Sequence, residues 1–529
     1  MTTSKMPTAT STGRLPSLLA AASALLLATA ARAAAPGITG PAFTLTAQPA
    51  YITQPDGKMV YSWGYGCDGA PAGYAPAAIS GRFCNAMQVP GPTLIVREGD
   101  TVSVTLRNDL PASAGNTSIL FPGFTLTSTC PAGQQGLLTC EAAPGGTVTY
   151  TFVASSPGTR AYYSGTQGDL QVEMGLYGAI IVLPSSPPAS CDAGVQGTNA
   201  LARQNFGESD FRLAHAAYDH PRTCYDREYL FQFSEIDPNI HLQADAQVAA
   251  CGTTVGCRLS VVTEPYHPAY FMINGRSMPD DMDPNYAPQY PHQPYNGNPH
   301  MHPGELTLLR VIGQGRWQHP FHEHGNHVRV LARDGNLILS STDPSDPNLA
   351  GPLLFTTTTT PGLAMDGIFY WTGKGLNWDP YGHNPGSADP IAKLPCAPDA
   401  NGYNTGGTAY TQVNYYEWCQ DHNKPLEAKP FGDVAGNGPA TLPDPNLFAQ
   451  GPWYGGSPYL GPNATARAVG STPIPPFGTV ANSPTSEAGF AFMWHSHNER
   501  EITTNNIFPG GMLMMMLVDS REFVIDESL

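Results

Sequence analysis

Three things are scarce in this sequence of 529 residues: charge, positive charge in particular, and long hydrophobic runs. Charged residues make up only 13%, with 25 Lys and Arg against 42 Asp and Glu and a formal net charge of -17. An acidic surface of low charge density excludes the basic footprint of a nucleic-acid binder and disfavours anionic membranes. The apolar run from Leu15 to Ala31 is a weak candidate for a membrane anchor because its strongly apolar part is short, and no later segment is long and apolar enough to span a bilayer. Sustained 3.6-residue amphipathic periodicity is also missing, which argues against a helical bundle.

What is present begins with that N-terminal run. It follows Lys5 and Arg14 and ends at the small residues of Ala31-Arg32-Ala33. This is the pattern of a secretory signal peptide over residues 1–33, so the mature chain is expected to be exported, in the periplasm or outside the cell. Removing three positive charges and no acid takes the net charge from -17 to about -20. The ten cysteines form an even set, which in an exported chain suggests disulfides. Pairing in sequence order is the simplest arrangement, Cys67 with Cys84 and Cys251 with Cys257 for example. Their spacings fit no zinc ribbon, and none lies beside the histidine motifs described below.

Glycine (56) and proline (52) punctuate short β-rich segments throughout. Thr93–Arg97, Thr101–Leu106 (strictly alternating), Thr147–Val153 and Gly175–Val182 predict one β-sandwich over residues 34–185. A linker at 186–222 leads to a second domain at 223–529, with strands expected at 229–233, 270–275, 304–312, 328–335, 369–371, 489–494 and 512–518. Residues 379–484 read as a long loop-rich insertion, tied by Cys396 and Cys419 if those two pair.

Two His-x-His pairs carry the chemistry. One lies in His319-Pro-Phe-His322-Glu-His324-Gly325, the other in Trp494-His495-Ser496-His497. Residues two apart on a strand share a face, so each pair presents two imidazoles to one place. Imidazole is the commonest protein ligand for copper, zinc and iron. Glu501 adds a carboxylate near the second pair, while Glu323 and His327 are candidates to orient the ligands. Met512, Met514, Met515 and Met516 read as core packing rather than soft ligands. His300-Met301-His302 reads as a surface loop.

The context resembles the multicopper oxidase family. His319–Gly325 is similar to its H-P-x-H-x-H-G signature, and His495-Ser496-His497, followed by Gly510-Gly511-Met512, to a variant of its H-C-H signature. Pro90-Gly-Pro-Thr93, Glu98-Gly-Asp100 and Asn108-Asp-Leu110 resemble the opening of its N-terminal domain, and Gly175–Val182 its closing strand. The resemblance implies an all-β fold of two cupredoxin-like Greek-key β-sandwich domains, the second holding the insertion. It also shows what is lost. Ser496 stands where the family has its blue-copper cysteine, and Glu501 where it has the second blue-copper histidine. Leu120, Pro122, Tyr163 and Gly165 replace the four cluster histidines of the N-terminal domain, and self-association cannot restore them.

The expectation is therefore an exported copper-binding oxidoreductase with a reduced, mononuclear site rather than four-copper laccase chemistry. Its metal residues are drawn from His319, His322, His324, His495, His497 and Glu501, holding one copper ion per chain. Zinc, Fe(II) or Mn(II) would also suit imidazoles with a carboxylate. The partner is a small-molecule substrate or the metal ion itself, with no nucleic acid; a homo-oligomer is compatible with the sequence. The alternatives are a non-catalytic metal-binding protein and a scaffolding pseudoenzyme.

Overall fold

The computed structural model describes residues 35–75, 84, 86–191, 208–341, 348–374, 399–400, 403–404, 489–519 and 523–527, with the backbone alone of three short strands between 456 and 481. The expected signal peptide, Cys396, Cys419 and nearly all of the expected insertion lie outside these residues.

Two sheets form the N-terminal part. One orders Met59–Cys67, Ala42–Thr53, Thr101–Asn108 and Thr147–Val153. The other orders Gly73–Ala75, Gly37–Thr39, Leu94–Arg97, Tyr177–Leu183 and Gly158–Tyr163. Val102, Val104 and Leu106 are buried while the residues between them are at least partly exposed, which is the period-2 pattern of a strand with one face in a core. That core is built on Trp63, Tyr65, Phe121, Tyr150 and Phe152.

The C-terminal part repeats the plan. One sheet runs through Tyr270–Ile273, Arg227–Ile236, Leu306–Gly313, Ala364–Tyr370 and Val328–Arg333. The facing sheet orders His300–Met301, Leu513–Asp519, Gly489–Ser496, His319–Glu323 and Thr356–Thr359. Phe231, Phe233, Phe321, Phe369 and Trp494 pack between the two with Met512, Met514 and Met516. These three methionines are core residues, filling gaps between aromatic rings. The fold is all-β, of two cupredoxin-like sandwich domains.

Among the described residues, four disulfides join cysteines that follow one another in sequence order: Cys67–Cys84, Cys130–Cys140, Cys191–Cys224 and Cys251–Cys257. Thr159 of the N-terminal sheets donates to the buried Asp366 carboxylate at 2.6 Å, and Tyr218 donates to the same group at 2.5 Å.

One departure from the sequence reading is helical. Pro238–Cys251 is a helix of 14 residues, packed on the Met59–Cys67 strand. Its periodicity is faint because only Ile240, His241, Ala244 and Cys251 are buried. The usable signal was local: Asp237 caps the N-terminus by accepting from the Asn239 N–H at 2.9 Å, and Pro238 occupies the first turn.

Candidate metal centre

The His319–Glu323 and Gly489–Ser496 strands are antiparallel neighbours, with Phe321 opposite Ser496, His322 opposite His495 and Glu323 opposite Trp494. Alternation sorts their side chains onto two faces. His322 and His495 fall on one, where His324 and His497, each one residue past its strand's end, join them; His319, Phe321, Glu323, Trp494 and Ser496 fall on the other.

On the first face the two pairs meet. Nitrogens of His322, His324 and His495 all lie within 4.8 Å of one another, and Nε2 of His324 is 3.3 Å from Nε2 of His495. His497 flanks this trio, its ring centroid 4.8 Å from that of His322 and 5.6 Å from that of His495. Metal–imidazole bonds of about 2.0–2.1 Å at a tetrahedral angle put ligand nitrogens about 3.3 Å apart. The observed separation is therefore that of a metal-ready pair. Outer partners fix the rings: Nδ1 of His322 lies 2.7 Å from the Thr356 hydroxyl, and Nδ1 of His495 lies 2.6 Å from the Ser496 carbonyl. The Ser496 carbonyl only accepts and so selects the His495 tautomer protonated on Nδ1, which leaves Nε2 for a metal, while the Thr356 hydroxyl orients the His322 ring.

Electrostatics agree. Burial, then the neighbouring His324, His495 and His497, push His322 down to about 4. Burial lowers His495 too, against the opposing hydrogen bond to the Ser496 carbonyl. Both rings are neutral at pH 7, the form that binds a metal.

His319 and Glu501, expected among the metal residues, are not brought to this trio. They lie on the buried face, joined to each other at 2.9 Å (Nδ1 to Oε2), while Nε2 of His319 faces Glu235 at 3.0 Å. Burial alone would lower His319, but the hydrogen bonds to the two carboxylates prevail and raise it to about 9. Ser496 donates to Glu501 at 2.5 Å. Glu235 escaped the sequence reading, because a lone acid in an apolar strand carries no motif. Its signal was the burial implied by Tyr229–Phe233 on one side and Ile236 on the other. Glu323 is buried on the same face, accepts from Thr357 at 3.2 Å, and is pushed well above the usual carboxylate range by burial. His327 stands edge-on to Phe355 with centroids 5.1 Å apart.

The His300–His302 stretch is not a surface loop. His300–Met301 is a strand beside Leu513–Asp519, and His302 is fully buried, 2.8 Å from Glu208 and 3.0 Å from the Asp519 carbonyl. Donor atoms of Glu208, His302 and Glu305 also lie within 4.8 Å of one another. Here, however, Arg227 already bonds both carboxylates, reaching Glu305 at 2.5 Å and Glu208 as well. A guanidinium between two carboxylates satisfies them without a metal ion.

The positions matching the family's missing N-terminal histidines also converge. Leu120 and Tyr163 form an isolated bridge, with Leu120 N–H donating to the Tyr163 carbonyl at 2.7 Å. A Cβ on Gly165 would lie 2.8 Å from Cγ of Leu120. An apolar contact occupies the place.

Comparison with known proteins agrees with this build. The family model described as multicopper oxidase matches residues 82–187. The chain is similar to laccase-3 of Botryotinia fuckeliana, 38% identical over 108 residues, which is 20% of this chain and 23% of the relative. It is also similar to copper resistance protein A of Pseudomonas syringae pv. tomato, 35% identical over 119 residues, 22% of this chain and 19% of the relative. These matches thus span about a fifth of each curated relative's length. Among solved structures it is similar to the blue copper oxidase from Nitrosomonas europaea, with TM-score 0.42 and 15% identity over 90% of this chain and 85% of that one. Over residues 82–187 the chain thus matches the multicopper oxidase model, and it is similar to members of that family over about a fifth of its length.

Proposed function

We propose that this protein is an exported copper-dependent oxidoreductase that works at a single-ion site, held by His322, His324 and His495 with His497 beside them, and not at a four-copper assembly. The observation that carries this is the convergence within 4.8 Å of three imidazoles, two on adjacent strands and one directly after a strand end. A copper ion bound there would supply one-electron chemistry and a coordination position for a small-molecule substrate. The chain's own part is to hold the rings. Thr356 and the Ser496 carbonyl keep His322 and His495 in one orientation, and burial keeps the imidazoles neutral. His497 is the exposed member, placed to admit or exclude an incoming molecule. Export is supported by the N-terminal sequence pattern and by four disulfides.

The test is elemental analysis of the purified protein, with Cu, Mn, Fe and Zn counted per chain and compared with a His322→Ala/His497→Ala double variant. About one copper per chain that the variant loses, with redox turnover lost alongside, is the expected result. Metal without turnover would leave a metal-binding protein. No metal after copper reconstitution would leave the scaffold reading.

A further inference from the structure

The strand pair that presents the imidazoles has a buried back, and its side chains form one continuous hydrogen-bonded chain. Ser496 donates to Oε2 of Glu501 at 2.5 Å, and Nδ1 of His319 meets the same oxygen at 2.9 Å. Nε2 of His319 faces Oε2 of Glu235 at 3.0 Å. Oε1 of Glu235 accepts from the backbone N–H groups of Arg316 and Trp317 at 2.7 and 2.8 Å. Tyr266 then links Glu235, at 3.2 Å, to Glu173 of the N-terminal domain, at 2.7 Å. His319, Glu235, Glu501 and Glu173 are all buried.

Placing so many ionisable groups in a core is costly, and apolar side chains of similar size would serve stability as well. Their arrangement points to a different use. Ladder pairing between the two strands stops at Phe321 and Ser496, so His497 lies just beyond the ordered register, held there through its backbone N–H to the Pro320 carbonyl at 2.8 Å. Glu501 grips the residues on either side of it, Ser496 through Oε2 and Asn498 through Oε1 at 2.9 Å. Through His319 the same carboxylate is tied to the strand that carries His322 and leads into His324.

We propose that Glu235, His319 and Glu501 form a carboxylate–imidazole–carboxylate clamp that fixes His495 and His497 against His322 and His324. Glu501 and His319 are then positioning residues of the metal centre, acting through the turn that follows Ser496. This rests on the copper-site reading given above, but the clamp can be tested without metal.

The experiment compares wild type, Glu501→Ala, Glu501→Gln, His319→Gln and a remote core variant, Leu106→Ala. Side-chain imidazole NMR signals are recorded on metal-free protein. Cu(II) affinity is then measured by chelator competition, and the EPR spectrum is taken at one equivalent. Glu501→Ala is expected to shift the His495 and His497 signals, alter the EPR spectrum and weaken Cu(II) binding by about 10–100-fold, the usual loss for an outer partner of a metal ligand. Glu501→Gln and His319→Gln should give smaller changes of the same sign, which keeps the test valid should Glu501→Ala not fold. Leu106→Ala should lower stability and leave all three readouts alone. Unchanged imidazole signals in the Glu501 and His319 variants would overturn the clamp. Wild type without copper affinity would instead overturn the copper reading, while the metal-free NMR would still decide the clamp.

Discussion

The two domains solve the same folding problem and differ in what they do with the result. In the N-terminal domain, strand pairing brings Leu120 and Tyr163 to one spot, and Gly165 leaves room there for the leucine side chain. In the C-terminal domain, strand pairing sets His322 directly opposite His495. The backbone device is shared, since residues facing one another across antiparallel strands must meet. The donors are not. The family model matches residues 82–187, within the domain whose ligand positions are apolar. Likeness of scaffold and the gathering of imidazoles are therefore separate properties of this chain, and each can be broken without the other.

The largest effect is expected at the imidazoles themselves. His322→Ala with His495→Ala removes two of the three converging donors, so stoichiometric copper should be lost while the melting profile of the metal-free protein stays close to wild type. Retention of one copper per chain by this variant, measured by elemental analysis, would move the site elsewhere.

The second ion cluster of the C-terminal domain should behave in the opposite way. Arg227 is buried between Glu208 and Glu305. Arg227→Ala leaves two carboxylates and His302 without their cation, and breaking such a buried network costs about 3–5 kcal/mol. Urea denaturation should register that loss with copper content unchanged. A variant that gains a metal there would instead reveal a latent site.

His319 gives the buried face a pH signature. Its folded value of about 9 lies above the ordinary 6.5. A raised value means that its contribution to stability is fully present below the unfolded value and is lost as pH rises through the folded one. The urea midpoint of the metal-free protein should therefore fall between roughly pH 6.5 and 9, with a slope of at most about 1.4 kcal/mol per pH unit from this group. His319→Gln should flatten that window. An equally steep fall in the variant would assign the pH dependence to other groups.

The sequence made the strands legible, because their alternation is a direct image of one buried face. Thr101–Asn108 and Thr147–Val153 alternate, and both lie in the four-stranded sheet. The gathering of His322, His324 and His495 was legible for the same reason, as two-residue spacing fixes a shared face. That rule, carried one step further, also separates His319 from His322, which lies an odd number of residues away and so points to the other side. Motif reading grouped all of them because the family motif spans both faces. Glu235, Tyr266 and Glu173 were not legible, since each is a single polar residue whose partner lies far along the chain. His302 was misplaced for a related reason: a His-x-His beside Pro and Gly looks like a loop until Glu208 and Arg227 arrive from elsewhere.

The smallest effect belongs to the N-terminal domain and is the most direct test of the contrast between the two. Leu120 is only partly buried, and its side chain fills the space beside Gly165. Leu→Ala changes in full cores cost about 2–5 kcal/mol, so a partly buried site should fall at or below the low end. Leu120→Ala is thus expected to lower stability by about 2 kcal/mol or less and to leave copper stoichiometry and affinity at their wild-type values. The reason is geometric: its contact is with Tyr163 and Gly165, while His322 and His495 are held by Thr356 and the Ser496 carbonyl. A drop in copper affinity in Leu120→Ala would mean that the N-terminal positions still shape the metal centre. The two domains would then be one functional unit, even though only one of them supplies the imidazoles.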